Sequence, residues 1–208
     1  MTRAAMLLVC GACLGGCQTV RAPQKKPVDT YWADPRDVAS VRRIMFLPID
    51  AAPGTKAPTE RMRAAVLDEL AKVQRFEIVP LPDNTDEDET IYRAALRGHQ
   101  PLEALVALGK RYNVDAVVLG TVTSYRAYPP AHLGLRLQML SLHSGKPVWA
   151  AEGLYDAAEE ATLDDVRHYA RSYLSPEATM HGYEINLISP TRFTSFVAHR
   201  LVGTWRDS

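Results

Sequence analysis

Cysteine is scarce in this chain: only three are present among 208 residues, and all three lie within the first seventeen positions. No cysteine follows Cys17, so the rest of the chain cannot form a disulfide within itself. The stability of the folded part must therefore come from a packed hydrophobic core. The length is sufficient for one domain built in that way.

An excess of either charge is also lacking. The chain has 24 basic and 24 acidic residues, which gives a formal net charge of zero. Proteins that bind nucleic acid usually carry a clustered positive excess. The composition therefore predicts no nucleic-acid partner, and it gives no strong electrostatic attraction to an anionic membrane surface.

The apolar run at the N-terminus, Ala4 to Leu14, is shorter than the roughly 20 residues that a membrane-spanning helix needs. It follows the positive charge of Arg3 and ends in Leu14-Gly15-Gly16-Cys17. An export signal consists of a positive residue, a short apolar stretch and small residues before the cleavage position. We therefore expect residues 1–16 to be a signal peptide.

The sequence Leu14-Gly15-Gly16-Cys17 resembles the bacterial lipobox, in which a branched apolar residue and small residues precede a cysteine that receives diacylglycerol. Small side chains allow the membrane peptidase to reach the cleavage position, and the thiol of the cysteine forms a thioether. Cys10 follows the β-branched Val9, and Cys13 has Cys10 where a leucine is expected. We therefore predict that Cys17 is the lipidation site, carrying palmitate-type acyl chains.

An alternative interpretation is that the three cysteines are buried thiols of a cytosolic N-terminal helix. Gly11, Gly15 and Gly16 argue against it, because each glycine weakens a helix by roughly 1 kcal/mol. An anchored, exported protein is the better interpretation.

Two features after Cys17 indicate where the anchor lies. Gln18 follows directly, and a residue other than aspartate there resembles the outer-membrane sorting signal of well-studied Gram-negative bacteria. The stretch from Gln18 to Ser40 contains three prolines and little apolar sequence, which is typical of an extended linker. We expect residues 17–40 to tether the domain to the periplasmic side of the outer membrane, with the inner membrane as the alternative.

Residues 41–208 are predicted to form a single domain. Short apolar runs bounded by turn residues predict strands, and apolar residues three or four apart predict helices. The predicted strands lie at Ile44–Ile49, Phe76–Val79, Val114–Gly120, Leu133–Met139 and Val148–Tyr155. The predicted helices begin near Thr59, Pro101, Thr162 and Ser189-Pro190.

This order, β-α-β-α-β-β-β followed by C-terminal helices, predicts the fold class. A crossover helix between the early strands favours parallel pairing, whereas the late strands are joined closely enough to pair antiparallel. Ser144-Gly145-Lys146 is such a turn. We expect an α/β (α+β) fold with one mixed sheet of about five strands flanked by helices.

Local signals predict how two of the helices begin. Thr59 is expected to be an N-cap, and Thr162 with Asp165 resembles a capping box. The acidic segment from Asp83 to Glu89 is interpreted as a solvated loop. It lacks the glycine that a calcium-binding loop needs for its turn.

Three segments of the domain carry a resemblance to a known family. The first segment is Val114–Val122, which contains Asp115 and Gly120. The second is the strand from Leu133 to Leu142, and the third is Ser144-Gly145-Lys146-Pro147-Val148-Trp149. Together they resemble a pattern shared by envelope lipoproteins related to CsgG, to the penicillin-binding-protein activator LpoB and to the N-terminal domain of TolB, over roughly Val41 to Tyr155. The resemblance implies a mixed sheet flanked by helices that works through protein–protein contacts.

No motif of a familiar enzyme class is found. The chain lacks a Gly-x-Ser-x-Gly elbow, a His-Glu-x-x-His zinc pair and a phosphate-binding loop. Asp164 and His168 lie four residues apart on a predicted helix and are interpreted as a surface ion pair, because no third reacting group is identified. The histidines, scattered without ligand spacing, are His99, His132, His143, His168, His181 and His199. We expect no catalysis, no cofactor and no bound metal.

The leading functional hypothesis is a lipid-anchored accessory or scaffold protein that binds other envelope proteins in assembly or cell-wall synthesis. Its partners are expected near the anchoring membrane, and self-association into a homo-oligomer is left open. The best interface candidates are tyrosines, which are enriched at contacts: Tyr125, Tyr128, Tyr155, Tyr169, Tyr173 and Tyr183. Two alternatives stay open: a CsgG-type secretion pore, which would need additional membrane-spanning hairpins, and an envelope hydrolase with an unrecognised site.

Overall fold

The computed structural model describes residues 25–81 and 102–205. Within these ranges the strands are β1 (Asp29–Trp32), β2 (Arg43–Ala51), β3 (Glu77–Val79), β4 (Ala116–Arg126), β5 (His132–Ser141) and β6 (Pro147–Asp156). The helices are α1 (Pro35–Ser40), α2 (Thr59–Val73), α3 (Leu102–Tyr112), α4 (Glu160–Tyr173), α5 (Ile185–Ile188) and α6 (Pro190–Val202), and α6 continues into a 3-10 turn at Gly203–Trp205.

All six of these strands form one sheet in the order β1-β6-β5-β4-β2-β3. β2 pairs in parallel with β3 and β4, because α2 and α3 return the chain to the same end of the sheet. The remaining pairs are antiparallel: β4 with β5, β5 with β6, and β6 with β1. The prediction of a mixed sheet flanked by helices is confirmed, with one strand more than the five expected.

The main hydrophobic core lies between one face of the sheet and the helices α2 and α6. Alternate residues of the strands point into it, and they meet the apolar sides of the two helices. The sheet contributes Phe46, Val118, Leu135, Leu137 and Trp149, and the helices contribute Met62, Val66, Leu70, Phe196, Val197 and Leu201. A smaller cluster on the opposite face joins α3 to β2 and β4.

β1 was not expected. Its residues lie within the stretch interpreted as an extended linker, yet they pair antiparallel with β6, and Trp32 lies opposite Trp149. The ring of Trp32 also packs against Trp205, with the ring centroids 4.5 Å apart. The linker prediction is therefore wrong for residues 29–40, which belong to the domain.

Two helix starts differ from the prediction. Thr59 is the first residue of α2 rather than its cap, and Pro58 occupies the cap position without a side-chain hydrogen bond. Thr162 and Asp165 lie inside α4, both buried, so they do not form a capping box. The carboxylate of Asp165 does not bond to the first residues of its helix. It accepts a hydrogen bond from the backbone N–H of Lys26 instead.

Other local predictions are confirmed. Ser189 caps α6 by accepting from the N–H of Arg192, and Pro190 is the first residue of that helix. Gly145, with φ of 68°, lies in the turn between β5 and β6.

Several predictions fall outside the described residues. These are the signal peptide and Cys17, the acidic segment from Asp83 to Glu89, His99, and Pro101 as the start of α3. They stay predictions. None of the helices in the described ranges is long and apolar enough to cross a membrane.

Candidate functional site

Among residues 25–81 and 102–205, the elements packed on one face of the sheet cover only part of it. Within the described ranges, α3 packs on this side through Leu105 and Leu108, and its cluster includes Met45, Leu47 and Val117 from β2 and β4. Apart from Leu140, which packs against that cluster, the part of this face formed by β1, β5 and β6 lies outside it. We call that part the open face.

The strand registers place the side chains of the open face in rows. Tyr31, Ala150 and Gln138 lie side by side on β1, β6 and β5. Glu152 and Arg136 form the next row, and Nε of Arg136 donates to the Glu152 carboxylate at 2.8 Å. Two large apolar side chains stay in solvent on this face: Tyr31 is 53% exposed and Leu154 is 49% exposed.

A chain of hydrogen bonds crosses three strands at one end of the open face. Oγ of Ser124 on β4 lies 2.9 Å from Nε2 of His132 on β5. Nδ1 of the same ring lies 3.1 Å from Oδ2 of Asp156 on β6. Arg126 also donates to Asp156, at 3.2 Å, and its Nε donates to the carbonyl of Pro130. We call Ser124, His132 and Asp156 the serine cluster.

The carboxylate of Asp156 is held in its charged form. The backbone N–H of Ala158 donates to it at 2.9 Å, and this contact lowers its pKa below the usual value. Partial burial opposes the effect, but His132 and Arg126 add to the lowering of the pKa. Asp156 is therefore an acceptor with a fixed orientation.

A second feature is a groove of about 430 Å³ between the N-terminal segment and the helices α4 and α6. Lys25, Thr30 and Trp32 line one side, and Tyr173 and Arg200 lie among the residues of the other side. The groove has both aromatic and charged walls. It lies where the chain enters the domain from its N-terminal end.

The N-terminal segment is bound to the domain next to this groove. The N–H of Lys26 donates to Asp165, and its carbonyl accepts from Nη2 of Arg200 at 2.5 Å. The ammonium of Lys26 also pairs with Glu159. Burial raises the pKa of Asp165, although Arg200 and the Lys26 N–H act in the opposite direction.

A buried ionic contact joins the two helices of the main core. Oε2 of Glu69 on α2 lies 3.0 Å from Nδ1 of His199 on α6, and the Glu69 side chain is 2% exposed. Lys72 also donates to Glu69. Burial alone would raise the pKa of Glu69, but the hydrogen bonds from His199 and Lys72 outweigh it and lower the pKa to about 2.

The predicted interface tyrosines do not form one surface. Tyr155 and Tyr169 lie in the core, where both contact Phe196. Tyr128 and Tyr173 are 81% and 56% exposed. Only the exposed members are available to a partner.

The predicted ion pair between Asp164 and His168 is wrong. Asp164 instead accepts from Arg167 at 2.6 Å, and the ring of His168 packs against Tyr173. A helix places residues three and four apart at similar distances, so spacing alone could not choose between the two partners. In the part of the chain that the structure describes, no group of three acidic, histidine or cysteine side chains could hold a metal ion.

The serine cluster was not predicted from the sequence, although His132 is one of the six histidines of the chain. One signal was available: His132 and Asp156 lie at equal distances along the chain from Ser144, and a hairpin turning there pairs them. The position of Ser124 had no such signal. It depends on an irregularity in β4 that shifts the pairing with β5 between Val122 and Ser124.

No model of a known protein family matches the chain, and no curated protein sequence matches it either. Solved structures with a similar arrangement include the lipoprotein GNA1162 from Neisseria meningitidis, which is 18% identical with a TM-score of 0.45 over 55% of this chain and 82% of that one. The LpoB C-terminal domain from Salmonella enterica is 9% identical, with a TM-score of 0.40 over 54% and 81%.

The PelC dodecamer from Paraburkholderia phytofirmans is 12% identical, with a TM-score of 0.45 over 66% of this chain and 88% of that one. At these identities and TM-scores the likenesses assign neither a family nor a function.

Proposed function

We propose that the protein is a lipid-anchored accessory protein of a bacterial envelope that acts by binding other proteins. The observation that carries this proposal is the open face, where Tyr31 and Leu154 expose apolar surface next to the ion pair of Arg136 and Glu152. A surface that mixes aromatic, apolar and paired charged groups is typical of a protein interface.

The anchoring part of the proposal rests on the sequence Leu14-Gly15-Gly16-Cys17. With Gln18 after the cysteine, we propose the periplasmic side of the outer membrane as the location. The resemblance of the segment from Val114 to Trp149 to CsgG-, LpoB- and TolB-type lipoproteins supports the same role.

The bound N-terminal segment supports a location close to the membrane. Because Lys26 is fixed to Asp165 and Arg200, the chain between Cys17 and the domain has eight residues, Gln18 to Lys25. Even fully extended, such a stretch spans at most roughly 26–29 Å. We therefore propose partners that lie in or beside the anchoring membrane.

Metabolic labelling tests the anchor. Cells that express the chain are grown with a palmitate analogue, and the wild type is expected to carry the label. Cys17→Ser is expected to lose it and to accumulate as a larger precursor, whereas Cys13→Ser is the matched control and should keep it. Label that persists in Cys17→Ser would refute the anchor.

Site-specific photo-crosslinking in cells tests the interface. A photo-reactive residue at Gln138, in the row of the open face that contains Tyr31 and Ala150, is expected to give discrete adducts with envelope proteins. The same residue at Ala64, exposed on α2, is the control and should give few. Equal adducts from both positions would show that the open face is not the binding surface. Dominant adducts with proteins of the opposite membrane would contradict the short tether.

A further inference from the structure

The serine cluster has the geometry of an activated nucleophile. A hydroxyl, an imidazole and a carboxylate follow one another at 2.9 and 3.1 Å, with the imidazole in the middle. A nucleophile within hydrogen-bond reach of a base that a third group orients is the arrangement that nucleophilic enzymes use on unrelated folds. We propose that Ser124 is a nucleophile for short-chain acyl esters, with His132 as its general base and Asp156 as a positioning residue.

The backbone brings the three groups together. His132 pairs with Asp156 across β5 and β6, so their side chains lie on the same side of the sheet. The pairing of β4 with β5 shifts between Val122 and Ser124, which is the signature of a β-bulge. Such a bulge redirects the side chains that follow it. In this protein it places Ser124 opposite Gly134, two residues from His132 on the neighbouring strand.

Gly134 leaves the space that the hydroxyl occupies. A Cβ at this position would lie 2.7 Å from Oγ of Ser124 and 2.3 Å from Oγ1 of Thr123. Real Cβ atoms do not approach neighbours so closely, and both hydroxyls would have to move. The glycine therefore allows Ser124 to lie across β5 toward His132.

The hydrogen bonds also fix the protonation pattern of the imidazole. A charged carboxylate only accepts hydrogen bonds, so Nδ1 of His132 must carry the proton that faces Asp156. In the neutral ring Nε2 then has its lone pair directed at Oγ of Ser124. The Ala158 N–H and Arg126 hold Asp156 in place, as the lowered pKa of its carboxyl group reflects.

The reaction follows from this pattern. Oγ of Ser124 forms a bond to the carbonyl carbon of the ester while its proton passes to Nε2 of His132. The C–O bond of the ester breaks, the alcohol leaves with that proton, and the acyl group stays on Ser124. Water then attacks the acyl-serine with His132 again accepting a proton, which returns to Oγ and releases the carboxylic acid.

The side chain next to the nucleophile indicates the substrate class. Cδ1 of Leu154 would lie 3.0 Å from a Cβ at Gly134, so it borders the same position as Oγ of Ser124. Leu154 is half-exposed and offers an apolar contact to an acyl chain. In the part of the chain that the structure describes, the site lies on a strand surface rather than in a deep cleft, which suits an acetyl or butyryl group better than a long chain.

Covalent labelling tests this proposal independently of anchoring and partner binding. The purified full chain is treated with a fluorophosphonate probe, and separately with p-nitrophenyl acetate and butyrate. We expect one adduct, located by mass spectrometry on Ser124, and an ester-cleavage burst of one equivalent. Ser124→Ala should give neither. Ser195→Ala removes an exposed hydroxyl bonded only to its own helix and should label like the wild type.

Variants of His132 and Asp156 test whether these residues activate Ser124 or only support the fold. His132→Gln keeps Ser124 but removes the base, and the labelling rate is expected to fall at least about 100-fold. Asp156→Asn would turn the imidazole to the opposite tautomer, in which Nε2 carries the proton, so the labelling rate should fall. Circular dichroism verifies that each variant is folded. Gly134→Ala should slow labelling while leaving all three groups present.

Several labelling results would overturn the proposal. If the folded wild type forms no adduct, or if His132→Gln labels at the wild-type rate, Ser124 is not activated. Label spread over several serines, or as strong in urea-unfolded protein, would also refute it, because the reactivity would not depend on the folded arrangement.

Discussion

The contact between Glu69 and His199 is expected to stabilise the packing of α2 against α6. The carboxylate of Glu69 is almost fully buried and accepts hydrogen bonds from His199 and Lys72. We predict that Glu69→Gln, which keeps the shape and removes the charge, lowers the free energy of unfolding near neutral pH. Breaking one buried charged contact of this kind costs about 1–3 kcal/mol.

The pH dependence of stability gives a second estimate of what the Glu69 contact contributes to the free energy of unfolding. The pKa of Glu69 is lowered from 4.5 to about 2 in the folded protein. At 1.36 kcal/mol per pKa unit, this difference corresponds to about 3 kcal/mol. Because the folded-state pKa lies below the unfolded value, the contribution is complete above about pH 4.5 and is lost as the pH falls toward about 2. The wild type and Glu69→Gln should therefore converge in stability at acid pH.

Urea unfolding followed by tryptophan fluorescence measures this effect. All three tryptophans of the chain, Trp32, Trp149 and Trp205, contact one another, so unfolding should change their emission together. Curves are recorded at intervals between pH 2.5 and pH 7. The matched control is Glu152→Gln, which removes a carboxylate of the exposed ion pair with Arg136 and should cost less than about 1 kcal/mol.

Two outcomes would refute the reasoning. A difference between wild type and Glu69→Gln that stays constant from pH 2.5 to pH 7 would mean that the charge of Glu69 is not the source of the stability. A loss as large for Glu152→Gln would mean that burial of the contact with His199 makes no difference.

Two further predictions concern packing. Gly109→Ala should destabilise the fold by about 1 kcal/mol despite its better helix propensity, because the added Cβ would lie 2.3 Å from Cδ1 of Leu142; an unchanged or higher urea midpoint would contradict this. Trp32→Ala should cost about 2–4 kcal/mol and speed amide hydrogen exchange in β1, since the ring contacts Trp149 and Trp205. Exchange in β1 that matches the wild type would show that the indole does not hold the strand.

The elements of the core could be predicted from the sequence because their patterns are local. Along β5, Leu133, Leu135 and Leu137 are buried, and Arg136 between them is exposed. This alternation follows from the geometry of a strand with one buried face, so the sequence shows it directly. The same holds for α6, where Ser189 and Pro190 mark the start.

The capping prediction at Thr162 was wrong for a different reason. A capping box requires only two residue types at a fixed spacing, and that spacing also occurs inside helices. The carboxylate of Asp165 instead accepts a hydrogen bond from the backbone N–H of Lys26, which lies 139 residues earlier in the chain. No local pattern contains that contact.

The sequence by itself determined the order of the strands from β2 to β6 and the mixed sheet, because the patterns that mark these elements lie in residues close together in the chain. The lipid anchor at Cys17 stays a prediction from the sequence. Only the tertiary structure decided that residues 29–32 form a strand, since a segment of four residues becomes one by pairing with β6. It also decided the contact of Glu69 with His199 and the meeting of Ser124, His132 and Asp156. Those contacts depend on strand register and helix packing, which join residues that the sequence keeps apart.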